Sequence, residues 1–270
     1  MKREITLALL AALALATAVS FAPITPAAAT QQIDPTHFSS QITNTYLPLS
    51  LVGPKLFIGE ETDDEGEAVE TRLESRLLPE TTVVAGVTVA ILEERAYEDG
   101  ELVEVALDYF AQDANGDVYY FGEAVDNYVD GVLENHDGQW LAGEGDNEPG
   151  LFMPAAPRAG VTLTLEYAPG IAEDMAIVLT LGEPVNVPAG KYTNCLKTRE
   201  FTPLEPDIEE FKYYCPGVGM VKEEGDGAIL ELVSIRRNGS APPAEVDDEA
   251  GDDEKGTTIQ PPATGDGGLR

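Results

Sequence analysis

Positive charge is what this sequence has least of. Sixteen Lys and Arg stand against 49 Asp and Glu, for a formal net charge of −33. A surface of that sign repels nucleic-acid phosphates and anionic membranes, so neither is an expected partner. It leaves divalent cations and basic partners as the complementary classes, and it equally suits a protein of saline surroundings, where salt screens self-repulsion. Histidine is nearly absent. His37 and His136 are the only two, far apart and with no other ligand pattern around them, whereas zinc wants three or four ligands. There is no GxSxG elbow, HExxH pair, phosphate loop, or GxGxxG after a strand, so motifs assign no catalytic residue and no cofactor. Beyond the N-terminus no apolar run is long enough to cross a bilayer.

The N-terminus is the exception. Lys2 and Arg3 precede an uncharged apolar stretch over 5–19, and Ala27, Ala28 and Ala29 place small residues at a cleavage site. The stretch is short against a hydrocarbon core of ~30 Å. Pro23 and Pro26 then end any helix. Residues 1–29 therefore read as a signal peptide cut before Thr30, with a mature chain that is secreted, periplasmic or held at the cell envelope. No Cys stands at the cleavage site after the apolar stretch, so a lipid anchor is not supported.

The mature chain divides by composition. Residues 30–58 read as a polar lead-in, 59–237 as a single β domain that opens on an acidic loop, and 238–270 as a disordered acidic tail too poor in apolar residues to offset chain entropy. Within the domain, short apolar segments alternate with turn signals. Asp99-Gly100 would set Tyr97 opposite Leu102 and Arg95 opposite Glu104. Asn115-Gly116 would set Gln112 opposite Tyr119 and Phe110 opposite Phe121. Asp137-Gly138 would set Asn135 opposite Trp140. Val161, Leu163, Leu165 and Tyr167 alternate with Thr162, Thr164 and Glu166, while the strand around Leu230 and Leu232 is apolar on both faces and so central. Helical signals are confined to 35–45 and 172–176. The fold class is all-β: an antiparallel meander forming a strongly curved or closed sheet, barrel-like or sandwich.

Cys195 and Cys215 face an oxidising compartment and flank a Pro-rich turn. A hairpin symmetric about Glu205 puts them directly opposite each other, with Lys197 opposite Tyr213 and Arg199 opposite Phe211, close enough to bridge. An asymmetric turn would move the sulfurs to opposite faces and leave free thiols.

Asp113, Asn115 and Asp117 alternate around one tight turn, which offers oxygens to a hard cation such as Ca²⁺. Gly116 and Glu123 miss the positions of the Ca²⁺-loop pattern, so a plain Asn-Gly hairpin competes. Glu173 and Asp174 form an acidic pair beside the Pro169-Gly170 turn and read as a surface cap.

Four stretches resemble a family of secreted bacterial all-β proteins with no established activity: FAQDANGDVYYFGE (110–123), EPGLFMPAAPRAG (148–160), YAPGIAEDMA (167–176) and TREFTPLEPDIEEFKYYCPGVGMVKEE (198–224). The resemblance implies an exported β domain and transfers no catalytic residue. That family often carries tryptophan at the positions of Tyr109 and Tyr119 and a small residue at that of Cys215, so the cysteine pair belongs to this chain. Three classes of function fit: a non-enzymatic extracellular binding or structural module, a hydrolase or lyase with a carboxylate site, and a carrier of an apolar ligand within a curved sheet. A clustered set of buried carboxylates in a cleft would favour the second, an empty apolar cavity the third, and a filled core with neither the first.

Overall fold

The computed structural model describes residues 34–62, 66–225 and 227–236. The signal peptide expected over 1–29, the tail over 238–270 and the centre of the acidic loop lie outside the described residues.

The chain enters through one 3-10 turn, Pro35–His37, capped by the Asp34 side chain accepting from Thr36 N at 3.0 Å. Strand β1 (Phe38–Ser39) follows. The main meander then runs β2 (Lys55–Thr62), β3 (Ala68–Val84), β4 (Val87–Glu98), β5 (Glu101–Asp113) and β6 (Val118–Val129), each antiparallel to the next. Three short strands lie in succession along the far side of β6: β7 (Val132–Asn135), β8 (Trp140–Leu141) and β9 (Glu148–Met153). Next come β10 (Thr162–Thr164) and β11 (Glu166–Tyr167), then the second meander of β12 (Met175–Val187), β13 (Gly190–Phe201), β14 (Glu210–Cys215), β15 (Gly219–Gly225) and β16 (Ala228–Ile235). Strand β16 pairs back onto β2. The two ends of the sheet are β10 on β12 and β11 on β9, and Leu165 alone separates them. The sheet is thus a nearly closed, barrel-like ring, the solution by which a meander removes its exposed edges.

The all-β, closed-meander reading is borne out. The helical signals are not. Residues 35–45 give only the 3-10 turn before going extended, and 172–176 form the end of a turn. There Gly170 takes φ +77°, Ala168 and Ala172 form a β-bridge, and the Asp174 carbonyl accepts from Leu165 N and Glu166 N, so the segment is committed to strand pairing. The lead-in is part of the fold. The expected boundary after residue 58 falls inside β2, Ile42 and Leu47 are buried, and Phe38 packs edge-on against Tyr119 and Phe121 at 5.5 and 5.4 Å.

Cys195 and Cys215 are bonded, and Lys197 faces Tyr213 and Arg199 faces Phe211 as the symmetric hairpin requires. The bridge sits in an apolar cluster with Phe57, Leu73, Val221 and Leu232. It spans 20 residues of sequence. A closed loop of that length stabilises by ~3 kcal/mol in the chain-entropy account. Replacing both cysteines by serine is expected to lower stability by about that amount, read as a lower urea midpoint with a steeper slope as the unfolded chain expands.

Three turn registers differ from the sequence expectation, and each difference redirects a side chain. At Asp99-Gly100 both residues have positive φ and Tyr97 faces Leu102 as expected, but a bulge after Ala96 puts Glu104 opposite Ala96 and Arg95 opposite Val105. The turn at Asn115-Gly116 is a three-residue loop, so Gln112 faces Val118 and Phe110 faces Tyr120. Asp137-Gly138 closes no hairpin: Asn135 pairs with Asn127 and Trp140 with Glu123, both on β6. The expected alternation through 161–167 also breaks at Leu165, which leaves Glu166 buried and Tyr167 exposed. Strand β16 is central in the sheet as expected, yet Ile229 on its second face is exposed.

Candidate functional site

The hairpin that pairs the cysteines also builds the charged centre of the barrel. Its register sets Lys212 opposite Thr198 and Glu200 opposite Glu210, and β15 brings Glu223 opposite Lys212. Lys212 Nζ lies 3.1 Å from Glu200, 3.5 Å from Glu210 and 3.5 Å from Glu223. Glu200 is braced further by the hydroxyls of Thr198 at 2.9 Å and Tyr214 at 3.2 Å. These carboxylates hold the Lys212 ammonium well above the ordinary lysine value in spite of its burial.

The opposite wall supplies more acid. Ser75, Glu94 and Ala106 face one another across β3, β4 and β5, and Leu92, Asp108 and Glu123 across β4, β5 and β6. Leu92, Glu94 and Ala96 share one strand face by the two-residue period, and the bulge after Ala96 adds Glu104 to it. Strands β4 and β14 are separated along the sheet by β15, β16, β2 and β3. Glu94 nevertheless feels the charge of Lys212, so the two walls meet electrostatically through the interior.

Innermost are Asp108, Glu123 and Glu166, with 4%, 1% and 2% of their surface exposed. Two local breaks aim them inward. At Gly122, φ is +118°, and a Cβ there would stand 2.2 Å from the Trp140 carbonyl oxygen. The irregularity between Asp108/Glu123 and Phe110/Tyr120 puts Tyr120 and Glu123, three residues apart, on one face. The break at Leu165 does the same for Glu166. Tyr120 donates its hydroxyl to Asp108 Oδ1 at 2.8 Å. Glu123 Oε1, Glu166 Oε1, Trp140 Nε1 and the Tyr109 hydroxyl are buried with no hydrogen-bond partner. Burial, reinforced by mutual repulsion, pushes all three carboxyls well above the usual range. Burial and the neighbouring Glu94 raise Glu104 to about 8, and burial and Glu223 raise Glu210 to about 8. The raised values of Glu104 and Glu210 let part of the interior acid keep its protons near neutral pH. Substituting Ala for Gly122 is expected to cost about 2 kcal/mol or more, because a side chain strains the positive φ and meets the Trp140 backbone. Chemical denaturation checks it.

The sequence-derived candidates lie elsewhere. Asp113 Oδ1 accepts from Asn115 N at 2.8 Å and from Asp117 N at 2.9 Å, Asn115 Nδ2 donates to Asp113 Oδ2, and Asp117 Oδ1 accepts from Ala155 N. Asp113, Asn115 and Asp117 thus lock a hairpin, with Gly116 at φ +94° closing the loop. Among the described residues no group of three or more His, Cys, Asp and Glu is arranged to hold a metal ion. Glu173 caps the turn by accepting from Gly170 N at 2.8 Å, while Asp174 joins the interior acid network and is raised by burial. His136 Nδ1 lies 2.8 Å from the Val125 carbonyl and from Asp126 Oδ1, and His37 stands in solvent.

Sequence reading missed Lys212 and the buried acids. Asp108 and Glu123 had a signal, since each is a single acid within an otherwise apolar or aromatic strand run. Lys212 had a weaker one, alternating with Glu210 and Tyr214 on a strand whose register was already derived. Glu166 had none, because its inward turn depends on the break at Leu165.

No family model matches the chain, and no curated protein matches it. Among solved structures, a crystal structure of a Parabacteroides distasonis protein provisionally assigned as a lipoprotein is similar at 12% identity and a TM-score of 0.37. The match covers 72% of this chain and 99% of that one. Among the described residues no helix is long and apolar enough to cross a membrane.

Proposed function

We propose that this protein is an exported β-barrel binding module that holds a small polar ligand inside the barrel. One observation carries the reading: Glu123 and Glu166 each place a buried carboxyl oxygen in the interior with no hydrogen-bond partner. Each such atom costs ~1–3 kcal/mol unless something completes it. Export is supported by the signal-peptide pattern at 1–29, by the disulfide, and by the resemblance of 110–123 and 198–224 to secreted bacterial proteins. The acid-lined interior argues against an apolar cargo, since burying carboxyls against hydrocarbon is unfavourable. Its carboxyls favour cationic ligands, around which they can ionise.

The same carboxyls support a second reading. Acids held protonated at neutral pH are what a hydrolase or lyase needs as a general acid. Native mass spectrometry of the exported protein, purified without denaturation, separates the readings. A discrete, stoichiometric small-molecule adduct is expected. Bare protein mass together with turnover of a glycoside or ester panel that is lost in Glu123→Gln would replace the binding reading by the enzymatic one.

A further inference from the structure

Resting on that binding reading, we propose that the node formed by Asp108, Glu123 and Glu166 takes the ammonium end of an aliphatic amine. The barrel already contains a template for this. Lys212 is an alkylammonium with three carboxyl groups at 3.1–3.5 Å. The adjoining node has three carboxyls of its own, and among the described residues none of them is in an ion pair. An ammonium group brings several N–H donors, and Glu123 Oε1 and Glu166 Oε1 are buried acceptors without one.

The surroundings suit the alkyl chain. Tyr120 stacks on Phe110 at 4.7 Å and meets Trp140 edge-on at 5.7 Å, while Phe152 packs on both Phe110 and Tyr120 at 5.1 and 5.8 Å. Aromatic faces beside carboxylates are the usual surroundings for a desolvated organic cation. A bare metal ion fits less well, because no group of acidic side chains here is arranged to bind one at once, whereas a polyatomic ammonium bridges a wider spacing.

Titration calorimetry on the full mature protein at pH 8 tests this with 1,4-diaminobutane as the probe. One-to-one binding is expected, with proton release as the node's acids ionise around the cation. The double variant Glu123→Gln/Glu166→Gln is expected to weaken binding at least tenfold, and the exposed Glu134→Gln to leave it unchanged. The amides are isosteric with protonated carboxyls, so the double variant folds, which circular dichroism verifies. Equal binding of uncharged 1,4-butanediol, binding of Ca²⁺ in place of the diamine, or diamine binding untouched by the double variant would each overturn the assignment. If native mass spectrometry shows a bound neutral molecule while the diamine fails, the binding reading stands and the amine assignment falls. If neither binds, both fall.

Discussion

Replacing Lys212 with Met is expected to destabilise the protein by about 4 kcal/mol at pH 8, the range seen when one partner of a buried ion pair is removed. Among the described residues Lys212 is one of two lysines facing this interior, and three carboxyl groups lie within 3.5 Å of it. The other, Lys55, lies on β2, and burial drops its own value to about 8, so it contributes little compensating charge as pH rises. Without Lys212, Glu200, Glu210 and Glu223 must either repel one another or take up protons. The loss is therefore expected to shrink at pH 5, where protons are available. Adding Glu200→Gln and Glu223→Gln to the Met variant is expected to recover much of the stability at pH 8. Urea denaturation at both pH values reads the effect. A Met variant within 1 kcal/mol of the parent at pH 8 would mean that the carboxylates are neutral without the lysine and that the ring is not an ionic one.

The sequence made the barrel legible and hid its interior, and the reason is the same in both cases. Period-two alternation and Asp-Gly or Asn-Gly turns report where strands start and stop. They identify the meander, and the β13–β14 register that bonds Cys195 to Cys215. The buried acids are aimed by the points where that period fails. The bulge after Ala96 turns Glu104 inward, the positive φ of Gly122 turns Glu123, and the break at Leu165 turns Glu166. A bulge costs one residue of register and flips every side chain beyond it. Its position is set by what approaches from the next strand, here Trp140 against Gly122. No local pattern encodes that approach. The visible acid of the Asp113 turn is spent on backbone N–H groups instead.

The protein is expected to be most stable in mild acid and to lose about 4 kcal/mol or more between pH 5 and pH 8. The sign follows from which state holds more protons. Glu61, Glu104 and Glu210 are raised to about 7, 8 and 8 by burial, and Asp108, Glu123 and Glu166 are raised well above the ordinary carboxyl range by the same cause. In the unfolded chain the same groups ionise near their ordinary values of about 4. From there upward the folded state holds the extra protons. Each such carboxyl contributes up to ~1.4 kcal/mol of loss per pH unit until it ionises in place. The coupled acids share protons, so the sum falls well short of that limit for every group at once. Glu93 and Glu224 run the other way, lowered by Arg76 and Arg95 and by Lys222 and Tyr213, but their contribution fades only as pH falls toward their depressed values, below this window. Lys55 opposes the trend only above about 8. Relief of surface repulsion in acid adds in the same direction and is removable by salt, whereas the buried contribution is not. The measurement is therefore urea denaturation at pH 5 and pH 8 in about 0.5 M sodium chloride, where the Debye length is only a few ångströms. A flat profile under those conditions would mean that the interior acids are ionised throughout. Glu123→Gln, which removes one of the raised groups, is expected to flatten the slope and to leave the parent less stable than the variant at pH 8.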